Sequence, residues 1–140
     1  MITKTESACL IGMEAARVEV EINLSRGMPS FSIVGLPDAS VREAKDRVVA
    51  AIRNTGFEFP SRRVTVNLAP AGLRKEGACF DLAMAVGILL ASEAITPQRW
   101  PRAVWLGELA LDGSIRPVRG ALPLARSLSR EGHVAIVLPS

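Results

Sequence analysis

The residues with the most chemical potential lie in one short stretch, Gly72-Leu-Arg-Lys-Glu-Gly-Ala-Cys79, a polar, Gly-rich loop between an apolar strand pattern and an apolar helix pattern. A loop in that position feeds a helix entrance, where backbone N–H groups lack intrahelical partners and the dipole is positive, so phosphates and nucleophiles are favoured there. Gly72 to Gly77 has the G-x-x-x-x-G spacing of a phosphate-binding loop, but Ala78 and Cys79 follow where Lys and Ser/Thr are required for phosphate and Mg²⁺. Nucleotide chemistry is therefore not expected from this loop, and the chain is expected to hydrolyse no ATP. Cys79 is the one nucleophile in the stretch, and a thiol near a helix N-terminus has only the dipole to support its thiolate unless a base stands beside it. His133, alone after Gly132, reads as a turn residue rather than that base.

No metal centre follows from the spacing. Cys9 and Cys79 are seventy residues apart with one His in the chain, and no carboxylate cluster has ligand spacing, so the metal expectation is none and both thiols read as small apolar residues. Fourteen Arg accompany three Lys, with fourteen carboxylates, giving a net charge of +3. That excess is too small to mark a dedicated nucleic-acid domain. Aromatic residues, at 4%, provide no stacking platform for single strands.

The elements that position the loop are legible from periodicity. Val64, Val66 and Leu68 alternate with polar neighbours, a strand that Pro70 ends, and Cys79 to Ala91 is apolar all round except Asp81, a helix expected inside the domain. Ahead of them, Ser7 to Gly12, Arg17 to Leu24 and Phe31 to Val34 read as three strands of an antiparallel meander, with the turn signal Arg26-Gly27-Met28-Pro29 between the second and third. A helix follows Gly35-Leu36-Pro37, capped by Asp38 or by Ser40 with Glu43, striped by Val41, Ala44, Val48 and Ile52, and closed by Gly56. Beyond the central helix, Asp112-Gly113 predicts a hairpin between residues 103–111 and 115–118. A last helix over residues 121–130 and a strand over 134–138 complete the pattern.

The order β-β-β-α-β-α-β-β-α-β predicts an α+β fold with a mixed sheet and helices packed on it. Residues 1–140 read as a single domain, long enough to bury a core without staples. No run reaches the length of a membrane span, and the opening residues lack a signal-peptide pattern, so no membrane partner and a cytoplasmic location are expected.

The runs GLPD, GFEFP, VNLAPA, KEG, FDL, GELALDG and RPVRG together resemble the N-terminal domain of the YifB/ComM family of Mg-chelatase-like AAA+ ATPases, over nearly the whole chain. The resemblance implies a two-layer α/β sandwich of the kind used by the proteolytic domain of Lon and by GHMP kinases. It implies a non-catalytic accessory domain in front of a hexameric ATPase that acts as a DNA branch-migration helicase in recombination and natural transformation. ATP and Mg would belong to the ATPase domain, absent here, and no cofactor to these residues. The partners implied are DNA, bound weakly and without sequence preference, the chain's own AAA+ domain and other subunits of the hexamer.

Within that frame Arg62, Arg63, Arg74, Lys75, Arg116 and Arg119 are the candidate contacts to phosphates or neighbouring subunits. The Lon likeness places Cys79 where the nucleophilic Ser stands and Leu122 where the dyad Lys stands, a degenerate pair. The alternative reading is a small enzyme of Lon or GHMP type that uses Cys79.

Overall fold

The computed structural model describes residues 2–11, 14–96, 103–118, 126 and 135–137. Eight strands and three helices follow in the order β1 (Ile2–Ile11), β2 (Glu14–Ser25), β3 (Ser30–Val34), α1 (Ala39–Arg42), α2 (Ala44–Asn54), β4 (Arg63–Ala69), α3 (Asp81–Ala91), β5 (Ala103–Trp105), β6 (Glu108–Leu109), β7 (Ile115–Arg116) and β8 (Ala135–Val137). Six strands form one mixed sheet in the order β3-β4-β2-β1-β5-β8, and β6 and β7 pair as a separate small hairpin. The expected α+β fold is thus observed. Of the expected helix over residues 121–130 only Arg126 is described, and it is helical; Arg119, Leu122 and His133 lie outside the described residues.

The β2 alternation explains the two layers. Val18, Val20, Ile22 and Leu24 are buried with Val64, Val66 and Leu68 of β4 on one face of the sheet, where the apolar stripes of α2 and α3 cover them. The opposite face carries cross-strand ion pairs, Lys4 with Glu19 at 3.2 Å and Arg17 with Glu6 at 2.7 Å, and the hydrogen bond from Asn67 to Glu21. Period-two patterning thus sorts the sheet into a dry face and a wet one.

The meander expectation fails at its third strand. β1 and β2 form the antiparallel pair, but β3 lies at the edge of the sheet, parallel to β4, and β4 is inserted between β3 and β2. Alternation identifies a strand without naming its neighbour, and the α1–α2 crossover is long enough to bring β4 back parallel beside β3. Phe31 of β3 stacks on Phe59, ring centroids 5.6 Å apart. Gly35 then turns the chain out of the sheet at φ +106°, where an added Cβ would stand 2.1 Å from the Leu68 carbonyl oxygen.

Of the two caps anticipated for the first helix, the structure uses Asp38, whose Oδ1 accepts from the Val41 N–H at 2.8 Å. The central helix starts at Asp81, two residues later than the apolar pattern suggests, so Cys79 precedes it in a turn.

Candidate functional site

The loop that follows β4 is fastened from below by the Gly35-Leu36-Pro37-Asp38 segment. The Lys75 N–H donates to the Leu36 carbonyl and the Asp38 N–H to the Lys75 carbonyl, each at 2.9 Å, a parallel bridge between two irregular segments. Asp38 also reaches across with its second oxygen, Oδ2, which accepts from the Gly77 N–H at 3.2 Å. One carboxylate therefore caps α1 and holds the loop, a double duty that satisfies two otherwise orphaned donors.

Lys75 is the residue whose place departs furthest from expectation. Its side chain is fully buried, and its ammonium donates to the Pro70 carbonyl rather than to any partner outside the chain. Burial lowers its pKa, as expected for a cation removed from water without a carboxylate beside it. Lys75 is thus removed from the set of surface contacts: in a Gly-rich loop a lysine reads as solvated, but here it folds inward and ties the loop to the end of β4.

Arg62, Arg63, Arg74 and Arg116 are exposed, but they do not share one place. Arg62 and Arg63 stand at the start of β4, with Arg63 lying over the Gly27 turn, whereas Arg74 follows the end of that strand, about 20 Å away along seven extended residues. Arg74 pairs with Glu76 at 3.4 Å, and Arg116 sits on β7 opposite Glu108. Arg62 and Arg63 therefore lie at one end of β4, Arg74 beyond its other end, and Arg116 on the separate hairpin.

An open cleft of about 980 Å³ lies at the loop end. Its apolar surface comes from Leu10, Ile11, Leu73, Pro117 and Val118, its carboxylates from Asp38, Glu76 and Glu108, and both cysteines reach it. Cys79 is half-buried rather than buried, with Sγ donating to the Ala8 carbonyl at 3.5 Å. Burial, reinforced by the Cys9 thiol, pushes the Cys79 pKa up to about 12. A thiol so placed is protonated at neutral pH and is a poor nucleophile.

The helix entrance behind it is already occupied by the protein. The Leu82 N–H donates to the Gly107 carbonyl at 3.1 Å, the Gly107 N–H to the Cys79 carbonyl at 3.1 Å, and the Asp81 N–H to the Ala78 carbonyl at 3.3 Å. Gly107 can approach this closely because it lacks a Cβ, which would meet Ile115 at 2.7 Å. The Asp81 and Leu82 amides are thus committed within the chain and are not free to bind an oxyanion or phosphate.

Two residues that sequence reasoning did not pair hold the site's frame. Arg47 of α2 donates to Asp81 of α3 through Nε at 2.6 Å and through a second nitrogen at 3.1 Å, and also to the Ser40 carbonyl at 2.7 Å. Asp81 in turn accepts from the Leu109 N–H at 3.1 Å, linking α2, α3 and β6. The signal was present: Asp81 is the one charge in an apolar helix, and Arg47 falls three residues after Ala44 and four before Ala51, on the inner stripe of its own helix.

The family model described as subunit ChlI of Mg-chelatase matches residues 20–140. The chain belongs to that family. Among its relatives in the curated proteins, it is 43% identical over 127 residues to the uncharacterized protein YifB of Escherichia coli, covering 91% of the chain and 25% of that protein. It is 46% identical over 131 residues to the competence protein ComM of Haemophilus influenzae, covering 94% and 26%. More distantly, Lon protease 2 of Bacillus subtilis is 23% identical over 135 residues, 92% of the chain and 24% of that protein. The ChlI-family chain thus spans about a quarter of the length of these relatives, and its sheet with helices on one face fits the α/β sandwich that a Lon likeness implies. Among the described residues no helix is long and apolar enough to cross a membrane, and no group of three or more His, Cys, Asp or Glu is placed to hold a metal ion.

Proposed function

We propose that this chain is a non-catalytic accessory domain of a hexameric AAA+ ATPase that migrates DNA branches in recombination and natural transformation, serving subunit assembly and weak DNA contact. The observation that carries the non-catalytic part is how the helix entrance is engaged by the chain itself: the Asp81 and Leu82 N–H groups bond to the Ala78 and Gly107 carbonyls, the Lys75 ammonium is held by Pro70, and the Cys79 thiol donates to the Ala8 carbonyl. The DNA part of the reading rests on the resemblance to the YifB/ComM family, one of whose members is named a competence protein. ATP and Mg do not fit these residues, since the Gly72–Gly77 loop lacks the Lys and Ser/Thr of a phosphate site and its own lysine is buried.

Arg62 and Arg63 project from the start of β4, where no described acidic residue forms an ion pair with them, a surface suited to phosphate contact. In the ATPase-bearing protein, Arg62→Glu with Arg63→Glu is expected to weaken DNA binding and to make the slope of log affinity against log salt shallower by about 1 to 2, the loss of one or two neutralised phosphates. Fluorescence titrations of a labelled duplex at several salt concentrations measure it. An unchanged slope would remove DNA contact from this domain and leave assembly as its role.

A further inference from the structure

β3 ends the six-stranded sheet, and the phase of its hydrogen bonds says which of its backbone groups face outward. The Ser30 N–H donates to the Arg62 carbonyl at 3.3 Å, so Ser30 turns its backbone groups toward β4, as do Ser32 and Val34, while Phe31 and Ile33 turn theirs away. The side chains along this edge stand in solvent: Ser30 and Ser32 are exposed, Val34 is 47% exposed, and the flanking Met28 and Leu36 are 83% and 53% exposed. That exposure is a property of the edge itself, and every residue from 14 to 96 around it is described.

Edge strands are commonly guarded by charge. Residues 27–37 carry no charged side chain, and their two prolines, Pro29 and Pro37, lie outside Ser30–Val34. An uncharged edge draws no charged partner and does not repel an identical strand. Its phase also fits its own copy. With an antiparallel two-fold at Ser32, Phe31 stands opposite Ile33 of the second copy and Ile33 opposite its Phe31, so each outward N–H meets an outward carbonyl. Val34 then lies beside the second copy's Ser30, and the exposed Met28 and Leu36 are brought together at either end of the pairing. Across the sheet each row stays free of like charge, because Arg63 is in register with Ser30 and Asn67 with Val34, which places Arg63 of one copy in the row of Asn67 of the other.

We infer that β3 is the contact surface for a second copy of this chain, paired antiparallel about Ser32 so that two six-stranded sheets become one. The contact is isologous and therefore closes on a pair. It deepens the assembly part of the accessory reading and rests on that reading for its place in a larger protein; the pairing itself stands on β3.

Sedimentation equilibrium of the 140-residue chain from about 10 μM to 1 mM tests it, the weak range that suits a small interface. A monomer–dimer equilibrium is expected. Ser32→Lys and Ser32→Glu should each weaken it at least about tenfold, because like charges would stand about 4.5 Å apart by Cα at the two-fold, whereas an equimolar mixture of the two variants should associate at least as well as the unaltered chain. Ser32→Cys, a smaller change, should cross-link two chains at that position under oxidised glutathione, while Ser61→Cys, exposed but off the edge, should not. A chain that stays monomeric to 1 mM, charge variants that pair as the unaltered chain does, a mixture that fails to associate, or equal cross-linking from the two cysteine variants would overturn the inference. The Arg62→Glu, Arg63→Glu variant should still dimerise, so the DNA reading and this one can fail separately.

Discussion

Replacing Arg47 with Met is expected to lower the unfolding free energy by about 3 to 5 kcal/mol at neutral pH, the cost of leaving a buried carboxylate without its partner. The Asp81 side chain is 1% exposed and that of Arg47 17%, and the pair is bidentate, so little water is available to replace the guanidinium. The hydrogen bond that Arg47 donates to Asp81 keeps Arg47 charged, raising its pKa, while burial pushes the Asp81 carboxyl up despite the opposing pull of Arg47 and the Leu109 N–H. Both partners move upward because desolvation falls on the deeper group. Removing Arg47 enlarges the Asp81 shift, and a group whose folded pKa lies above its unfolded value contributes its stability below the unfolded pKa and loses it as pH rises through the folded one. The deficit of Arg47→Met should therefore be largest near pH 7 and narrow as pH falls through the carboxylate range. Urea titrations of both proteins at pH 7 and pH 4 measure this, and equal deficits at the two pH values would mean that Asp81 is not the source.

Gly35→Ala is the second large effect. Its methyl group would stand 2.1 Å from the Leu68 carbonyl oxygen, which belongs to the β4 backbone and cannot rotate away, and the residue sits at φ +106°. Backbone strain and overpacking together set the expected loss at about 2 to 5 kcal/mol. Gly72→Ala is the control: nothing lies within 4 Å of its added Cβ and its φ is ordinary, so its effect should stay within about 0.5 kcal/mol. Thermal unfolding of the two variants side by side decides it. Equal losses would mean that the exit of β3 does not require glycine.

Much of this frame could be read from residue order, and the exceptions have physical causes. The alternation of Val18 to Leu24 and of Val64 to Leu68 identified both central strands and their inner faces, because a half-wet sheet forces period two on the sequence. Asp38 was readable as a cap because its carboxylate is one residue ahead of a helical stripe. The partner of β3 was not readable, since pairing is set by the crossover that returns β4 rather than by anything within Ser30–Val34. Nor was the burial of Lys75, whose neighbours Arg74 and Glu76 are exposed; only the bridge to Leu36 and Asp38 turns its side chain inward. The missed Arg47–Asp81 pair joins two helices thirty-four residues apart, and each charge looked like an isolated exception to its own pattern.

The cleft itself was legible in part. The Gly72–Cys79 loop stood out as a helix entrance, and its lack of phosphate-site residues was evident. What the chain order did not reveal is that Gly107, nearly thirty residues on, fills that entrance from the other side. A long-range plug of this kind leaves no local signature, because a glycine at the edge of a hairpin reads only as a turn.

The claim that this cleft is not a catalytic centre is tested most directly by the pH–rate profile of Cys79 alkylation in the native 140-residue chain, followed with iodoacetamide and peptide mass mapping that separates Cys79 from Cys9. With the Cys79 thiol pushed up to about 12, the logarithm of the rate should rise linearly from pH 7 to pH 10 without levelling, and at pH 8 it should be on the order of a thousandfold below that of the urea-unfolded chain, whose thiols ionise near the ordinary value of about 8.5. A plateau beginning below about pH 8, the mark of a thiolate activated by a neighbouring base, would contradict the account and make Cys79 a nucleophile.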